Sequence, residues 1–349
     1  MRISLIAIME NLFSLKNTLI LKRRKNLELR KVQETGGTFL LSLPRDWAKR
    51  RGLVKGSILG VIEREDGRLL IDPQYKLEKS IEMATIVPSS YIEREIAGKY
   101  LLGSDIIRIE GKNRLPTNMS ERVRETVRRL IGLEIVEEDA HQITLQCLLD
   151  PASFPPERIL RREYLFASSM HKDALSALIE DDVSLAKGVV ERDDEVDRLF
   201  FLIVRLLRTA VLNPRLSEKM NLSPIDCLDY RLVASHIESI GDNSNEIAKN
   251  IIEFAGTSLP KEVMQLLRQL GEISYEMHQN AIQAIFSKSL DLVGKTLEAD
   301  IVARDTIRKL DGLFTGESSR VISYASAVAS ALNRICNNSV DLADLVMPR

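Results

Sequence analysis

The chain has 349 residues and a formal net charge of -1, with 44% apolar and only 5% aromatic residues. This excludes a disordered tail protein and a protein that coats nucleic acid along its whole length, and it allows two or three domains with a helical bias. The three cysteines, Cys147, Cys227 and Cys336, are odd in number and lack paired spacing, so neither a disulfide framework nor a zinc knuckle is expected and a reducing cytoplasm is the natural compartment.

Residues 1–26 read as an extension. Glu10, Asn11, Lys16 and Asn17 interrupt its apolar stretch, and the basic cluster Lys22-Arg23-Arg24-Lys25 follows that stretch, the wrong order for a signal peptide. No segment reaches the ~20 apolar residues that span a bilayer.

Residues 27–73 read as a small β unit. Strands are expected at 27–32 and 38–43 around the turn Gly36-Gly37. A short helix follows over 45–51, opened by Pro44 and stopped by Gly52, and two more strands lie at 58–63 and 68–71. So few residues make a poor core alone, so dimerisation is expected. Trp47, inside the short helix, reads as a core anchor rather than a base-stacker. The charge is concentrated here: residues 22–55 hold 11 Lys and Arg against 3 Asp and Glu, a net of +8. Such a patch suits DNA phosphates, and its bland counterpart is a solubilising basic rim on a dimerisation module.

Residues 78–150 alternate as β-α-β-α-β-β, a small α+β domain of unassigned role. Asn118 followed by Glu121 is an N-cap candidate for its second helix. From 157 to 347 the apolar period is helical. Six helices are expected near 157–180, 183–212, 224–255, 259–286, 289–311 and 318–346, forming two three-helix bundles (157–255 and 259–347). A weak internal repeat relates 185–193 to 292–300 and 237–248 to 332–343.

Two acid pairs stand out in this half. Asp193 lies on the otherwise apolar stripe Ala186, Val189, Val196, Phe200, Ile203, Leu207 and Ala210, and Asp197 is one turn further on. Glu238 and Asp242 share the same spacing on the next long helix, among the small residues Ser235, Ser239 and Gly241, which leave room between helices. A carboxylate at a helix seam must be paired, hydrogen-bonded or metal-bound. The alternative for each pair is a solvated helix face. All-oxygen ligands suit iron, manganese or magnesium. A di-iron oxidase is disfavoured, because no histidine stands three residues after a Glu. The second bundle has lost the pattern: Asp193 is matched by Asp300, Asp197 by Arg304, and Glu238 and Asp242 by Asn333 and Asn337. Metal is therefore expected chiefly in the first bundle, with Arg304 free to pair with Asp300.

The stretches Glu191-Arg192-Asp193-Asp194-Glu195-Val196-Asp197 and 238–248 (Glu-Ser-Ile-Gly-Asp-Asn-Ser-Asn-Glu-Ile-Ala) resemble the acidic motifs of PhoU-family phosphate-signalling proteins. The resemblance covers roughly 157–347. It implies metal, iron or zinc included, held by the paired acids. It also implies a regulatory link to phosphate transport and its sensor kinase, without catalysis. Asn243 stands where the family often has His. Residues 29–73, through Arg30-Lys31-Val32, Gly36-Gly37, 42–48 (Ser-Leu-Pro-Arg-Asp-Trp-Ala) and 52–57 (Gly-Leu-Val-Lys-Gly-Ser), resemble the AbrB/SpoVT swapped-hairpin family of dimeric DNA-binding barrels. That resemblance implies DNA contacts from Arg30, Lys31 and Lys49, with Arg45, Arg50 and Arg51 on the same face if the short helix points that way.

The chain as a whole is thus expected to be an α+β multidomain protein: a small swapped-hairpin β-barrel, a middle α+β domain and an all-α half of two bundles. The leading reading is a cytoplasmic homodimeric regulator of phosphate uptake that binds DNA and, at Asp193, Asp197, Glu238 and Asp242, a metal. Its rivals are an adaptor that docks on a phosphate transporter or sensor kinase without touching DNA, and, least supported, an enzyme. No nucleophile–base pair, phosphate-cradling glycine loop or His-rich site is visible, so an enzyme is not expected.

Overall fold

The computed structural model describes residues 28–63, 67–73, 81–116, 118–314 and 316–347. The extension expected at 1–26 lies outside the described residues. The chain divides into two compact units, 1–80 and 81–349.

In the first unit, β1 (Gln33–Thr35) and β2 (Thr38–Leu40) form an antiparallel hairpin, α1 spans Arg45–Arg50, and β3 (Gly60–Glu63) pairs antiparallel with β4 (Leu69–Asp72). The hairpin turns through Gly36 and Gly37, both at positive φ (59° and 78°), which glycine adopts without a Cβ penalty. The two-residue turn fixes the register Thr35↔Thr38, so the first strand lies at 33–35 and not at 27–32 as expected. The two hairpins are separate two-stranded sheets, so no barrel closes within one chain among the described residues. Gly60 is the one buried residue described in this unit; Trp47 is only half-buried, and Leu29, Phe39, Val54 and Ile58 are each more than two-thirds exposed.

The second unit opens with the expected α+β module. Its sheet runs β5 (Met83–Ile86), β6 (Ile106–Glu110), β8 (Gln142–Cys147), β7 (Leu133–Glu138), with β5 and β6 parallel and the rest antiparallel. Helices α2 (Ile92–Leu101) and α3 (Met119–Arg128) cover it, burying Ile92, Ile96, Tyr100 and Val123 against Ile107, Ile109, Ile143 and Leu145. Asn118 does not cap α3: its backbone is helical (φ -83°, ψ -5°) and its side chain makes no capping bond. An N-cap needs extended backbone to aim its side chain at the first free N–H groups.

The helical half follows the apolar period closely. Helices α4 (Pro156–Glu180), α5 (Val183–Leu212) and α7 (Pro224–Glu253) form the first bundle, and α8 (Lys261–Ser287), α9 (Leu290–Gly312) and α10 (Ser319–Asp344) the second. The short α6 (Pro214–Lys219) was read only as a break; Asn213 caps it by accepting from Leu216 N at 3.2 Å, with Pro214 at the first helical position. At the start of α7, Ser223 and Asp226 form a complete capping box. One apolar core runs through both bundles.

The middle module is seated on α5 through Arg205. Its side chain is 2% exposed and donates to the carbonyls of Tyr100 and Gly103, lies 3.9 Å from Asp105, and stacks over the Tyr100 ring. Gly103, at φ +91°, lets the chain pass so close to α5 that a Cβ would sit 2.9 Å from Thr209 Oγ1.

A second buried polar feature joins the bundles. His171 on α4 and His278 on α8, both fully buried, are hydrogen-bonded (Nδ1 to Nε2, 3.0 Å); Tyr164 Oη lies 2.9 Å from His278 Nδ1, and Ser274 Oγ 3.4 Å from His171 Nε2. Because Ser274 donates to Gly271 O, one assignment satisfies every group with both rings neutral: Tyr164 to His278, His278 to His171, His171 to Ser274. A proton added to either ring would set two donors face to face. Burial holds the His171 pKa at about 3, and burial with the neighbouring ring lowers His278 as well. Folded values below the unfolded value mean that stability is full above pH ~6.5 and is lost as pH falls toward the folded pKa, because only the unfolded chain takes up the proton. We predict that His171→Asn flattens this slope, shrinking the loss between pH 7 and pH 5 by about 2 kcal/mol. Urea melts across that range check it; equal slopes in the parent and the variant would contradict it.

Candidate metal centre

Three helices of the first bundle bring acids together. Helix α5 carries Asp193 and Asp197, because its 3-4 stripe turns both toward α7, and α7 carries Glu238 and Asp242 one turn apart. The small residues were expected to leave room between the helices. Gly241 instead lets α5 and α7 close up, since a Cβ there would meet Val196 at 3.3 Å. The space for a ligand comes from the carboxylates themselves.

One oxygen each from Asp197, Glu238 and Asp242 can be chosen so that all lie within 4.8 Å of one another. Asp193 stands beside this trio and is held by Asn245, whose side-chain amide donates to Asp193 Oδ2. Arg129, from α3 of the middle module, donates to Asp197 Oδ2 at 2.8 Å. The cluster thus gathers more negative charge than its neighbours balance. Burial, then the charges of Asp242, Asp197 and Asp193, push the Glu238 carboxyl up to about 7. Burial, Asp193 and Asp197 push Asp242 up to about 6, and burial with Asp197 raises Asp193. Like charges crowded at a partly desolvated seam favour a bound proton or a bound cation.

The sequence-predicted set is therefore brought together with one adjustment: Asp197, Glu238 and Asp242 converge, and Asp193 is engaged by Asn245. Sequence reasoning missed Asn245, Arg129 and Arg231; the last is half-buried on α7 over the Phe200 ring, and its charge bears on Glu238. It also missed Glu163 on α4, which is fully buried and has no hydrogen-bond partner for either carboxylate oxygen. The signal was present, since Glu163 stands on the stripe Leu160, Ala167, Met170, Ala174 as Asp193 stands on its own. The charged run Arg161-Arg162-Glu163 disguised it as a solvated face. Asn243, at the position where a histidine was noted as frequent, turns away from the acids: its amide donates to Ser239 O and its oxygen accepts from Arg334 on α10. In the second bundle Arg304 pairs with Asp300 at 2.6 Å, and no comparable trio occurs there among the described residues.

The residues fit a cation. An all-oxygen set suits a hard ion such as manganese, magnesium or iron(III), and suits zinc, which is usually held by His or Cys, less well. The orphaned Glu163 oxygens mark the place where the fold leaves negative charge uncompensated.

The basic residues proposed for DNA lie in the first unit. Arg30 and Lys31 precede β1, with Arg30 paired to Glu28; Arg45, Lys49 and Arg50 are on α1, and Arg51 ends it. All six are exposed.

Comparison with known proteins places the acid centre within a recognised segment. Residues 160–251 match the family model described as the PhoU domain. A curated relative, the phosphate-specific transport system accessory protein PhoU homolog of Rhizobium meliloti (strain 1021), is 21% identical over 161 residues. That match covers 45% of this chain and 62% of the relative, so the chain spans about three-fifths of the length of the curated relative it matches. Among solved structures, PhoU from Pseudomonas aeruginosa gives a TM-score of 0.49 at 20% identity, covering 55% of this chain and 93% of that one. The phosphate transport system regulatory protein PhoU from Streptococcus pneumoniae gives 0.46 at 17%, covering 55% and 91%. The first helical bundle, with its converging carboxylates, is thus similar to the PhoU family.

Proposed function

We propose that this chain is a PhoU-type adaptor that modulates a phosphate transporter or its sensor kinase, without catalysis of its own, and that a cation in the first bundle belongs to its working form. One observation carries the reading: Asp197, Glu238 and Asp242 converge inside the segment that matches the PhoU domain. Asp197, Glu238 and Asp242 would hold the ion, with Asp193 and Asn245 behind them. Bound there, it would supply the positive charge that lets α5 and α7 stay packed with their acids ionised. Arg129 couples the middle module to the same centre, because it holds Asp197.

The runner-up, a DNA-binding regulator, rests on the exposed basic residues of the first unit. The PhoU-domain match and the transport-accessory relative favour the adaptor over it. We further infer that a second copy of the chain covers the first unit, since its apolar side chains are left bare.

The test is genetic and biochemical. In cells lacking the protein, phosphate uptake in phosphate-rich medium should rise severalfold and be restored by the parent but not by Asp242→Asn. Unchanged uptake would sink the adaptor. A salt titration with duplex DNA, using Arg30→Ala and Lys49→Ala beside the parent, decides the runner-up. Binding that weakens with salt and in both variants would return the DNA-binding regulator.

A further inference from the structure

Glu163 differs from the other acids of the first bundle. It comes from α4, whereas the trio comes from α5 and α7, and its side chain is 0% exposed. It is the one carboxylate among the described residues with both oxygens buried and unpartnered. The charges that bear on it are those of Glu238 and Arg231, both on α7. Arg231 offers no hydrogen bond to it, its guanidinium lying over the Phe200 ring 4.7 Å from the centroid.

A buried carboxylate without a partner costs several kcal/mol, and a second carboxylate next to it adds to that cost. Two things remove it, a proton or a cation. The surroundings favour the cation. Glu163 faces Glu238, which already belongs to a trio with the oxygen spacing of a cation site. A carboxylate has two oxygens, so Glu238 can serve the trio with one and face Glu163 with the other. A proton on Glu163 would neutralise one acid and leave the others crowded.

We propose that Glu163 is a cation ligand, forming with Glu238 a second subsite beside the one made by Asp197, Glu238 and Asp242. Glu238 bridges the two, and the occupant is a hard divalent ion that prefers oxygen. The third helix of the bundle is thereby tied to the other two through the ions. This inference rests on the cation-centre reading above.

Manganese(II) is the probe, with the full chain stripped by chelation and then titrated. The parent should bind two ions per chain. Its electron paramagnetic resonance spectrum should show the exchange-coupled signal of neighbouring ions. Glu163→Gln, a near-isostere that mimics the protonated acid, should keep the fold, bind one ion and give the six-line signal of an isolated one. An equal ion count and the same spectrum in parent and Glu163→Gln would show that a proton occupies Glu163, and would overturn the proposal while leaving the centre intact. One ion per parent chain would overturn it without any variant. A parent that binds no manganese would remove the cation centre itself and this subsite with it.

Discussion

Arg205→Ala is expected to destabilise the second unit by about 3 to 5 kcal/mol, the range for removing one partner from a buried charge network. Arg205 is the largest fully buried side chain in the described protein. It satisfies the Tyr100 and Gly103 carbonyls, lies 3.9 Å from the Asp105 carboxylate and packs on the Tyr100 ring. Tyr100 in turn donates to Ile131 O at 2.9 Å, so the same point fixes α2 to the turn before β7. Truncation would strand two carbonyls and leave a cavity between α2 and α5. Arg205→Met separates the two causes, because it keeps most of the volume and removes the donors. Denaturant unfolding measures the total, and amide exchange should show β5 and β6 loosening first. A loss below about 1 kcal/mol for Arg205→Ala would mean that the seat is held by apolar contacts alone.

Glu238→Gln should separate stability from binding. Glu238, raised to about 7, and Asp242, raised to about 6, have folded values above the usual carboxylate range. Their contribution without cation is therefore full below the unfolded pKa, near 4 to 4.5, and is lost as pH rises through 6 to 7. The cation-free parent should gain stability from this cluster on acidification from pH 8 to 5, against the loss from the buried histidines. At pH 8 the neutral glutamine should make the cation-free protein more stable by about 1 to 2 kcal/mol, less than the full shift implies because the carboxylate is partly solvated. The same change should weaken manganese binding by about two orders of magnitude. In the parent, binding should weaken as pH falls below about 7, because protons compete for the same oxygens. Paired melts with chelator and with manganese, at pH 8 and pH 6, check all of this. A variant that is less stable without cation, or equally stabilised by it, would contradict the account.

A trade of stability for a crowded acid site is a mark of function, and it bears on how legible the protein was. The six long helices were readable to within three residues because the 3.6-residue apolar period and the breaks at Asn213-Pro214, Ser223-Pro224 and Leu259-Pro260 are local signals. The β-α-β-α-β-β order of the middle module was readable for the same reason. The first strand was misplaced because register belongs to the turn, and the Asn118 cap failed because it depends on backbone angles that a sequence pattern does not set.

What the sequence determined by itself is the element order, the apolar faces and the four acids on two helix stripes, since spacing along one helix decides which side chains share a face. Which acids meet, and what meets them, was decided by tertiary packing. Gly241 draws α5 against α7, Asn245 takes Asp193, Arg129 arrives from 68 residues away to hold Asp197, and α4 lays Glu163 beside Glu238. The buried chain of Tyr164, His278, His171 and Ser274 likewise joins residues more than 100 positions apart. A charged residue in a run of charges reads as solvated until the fold shows that no water reaches it, because burial is a property of the neighbours and not of the residue.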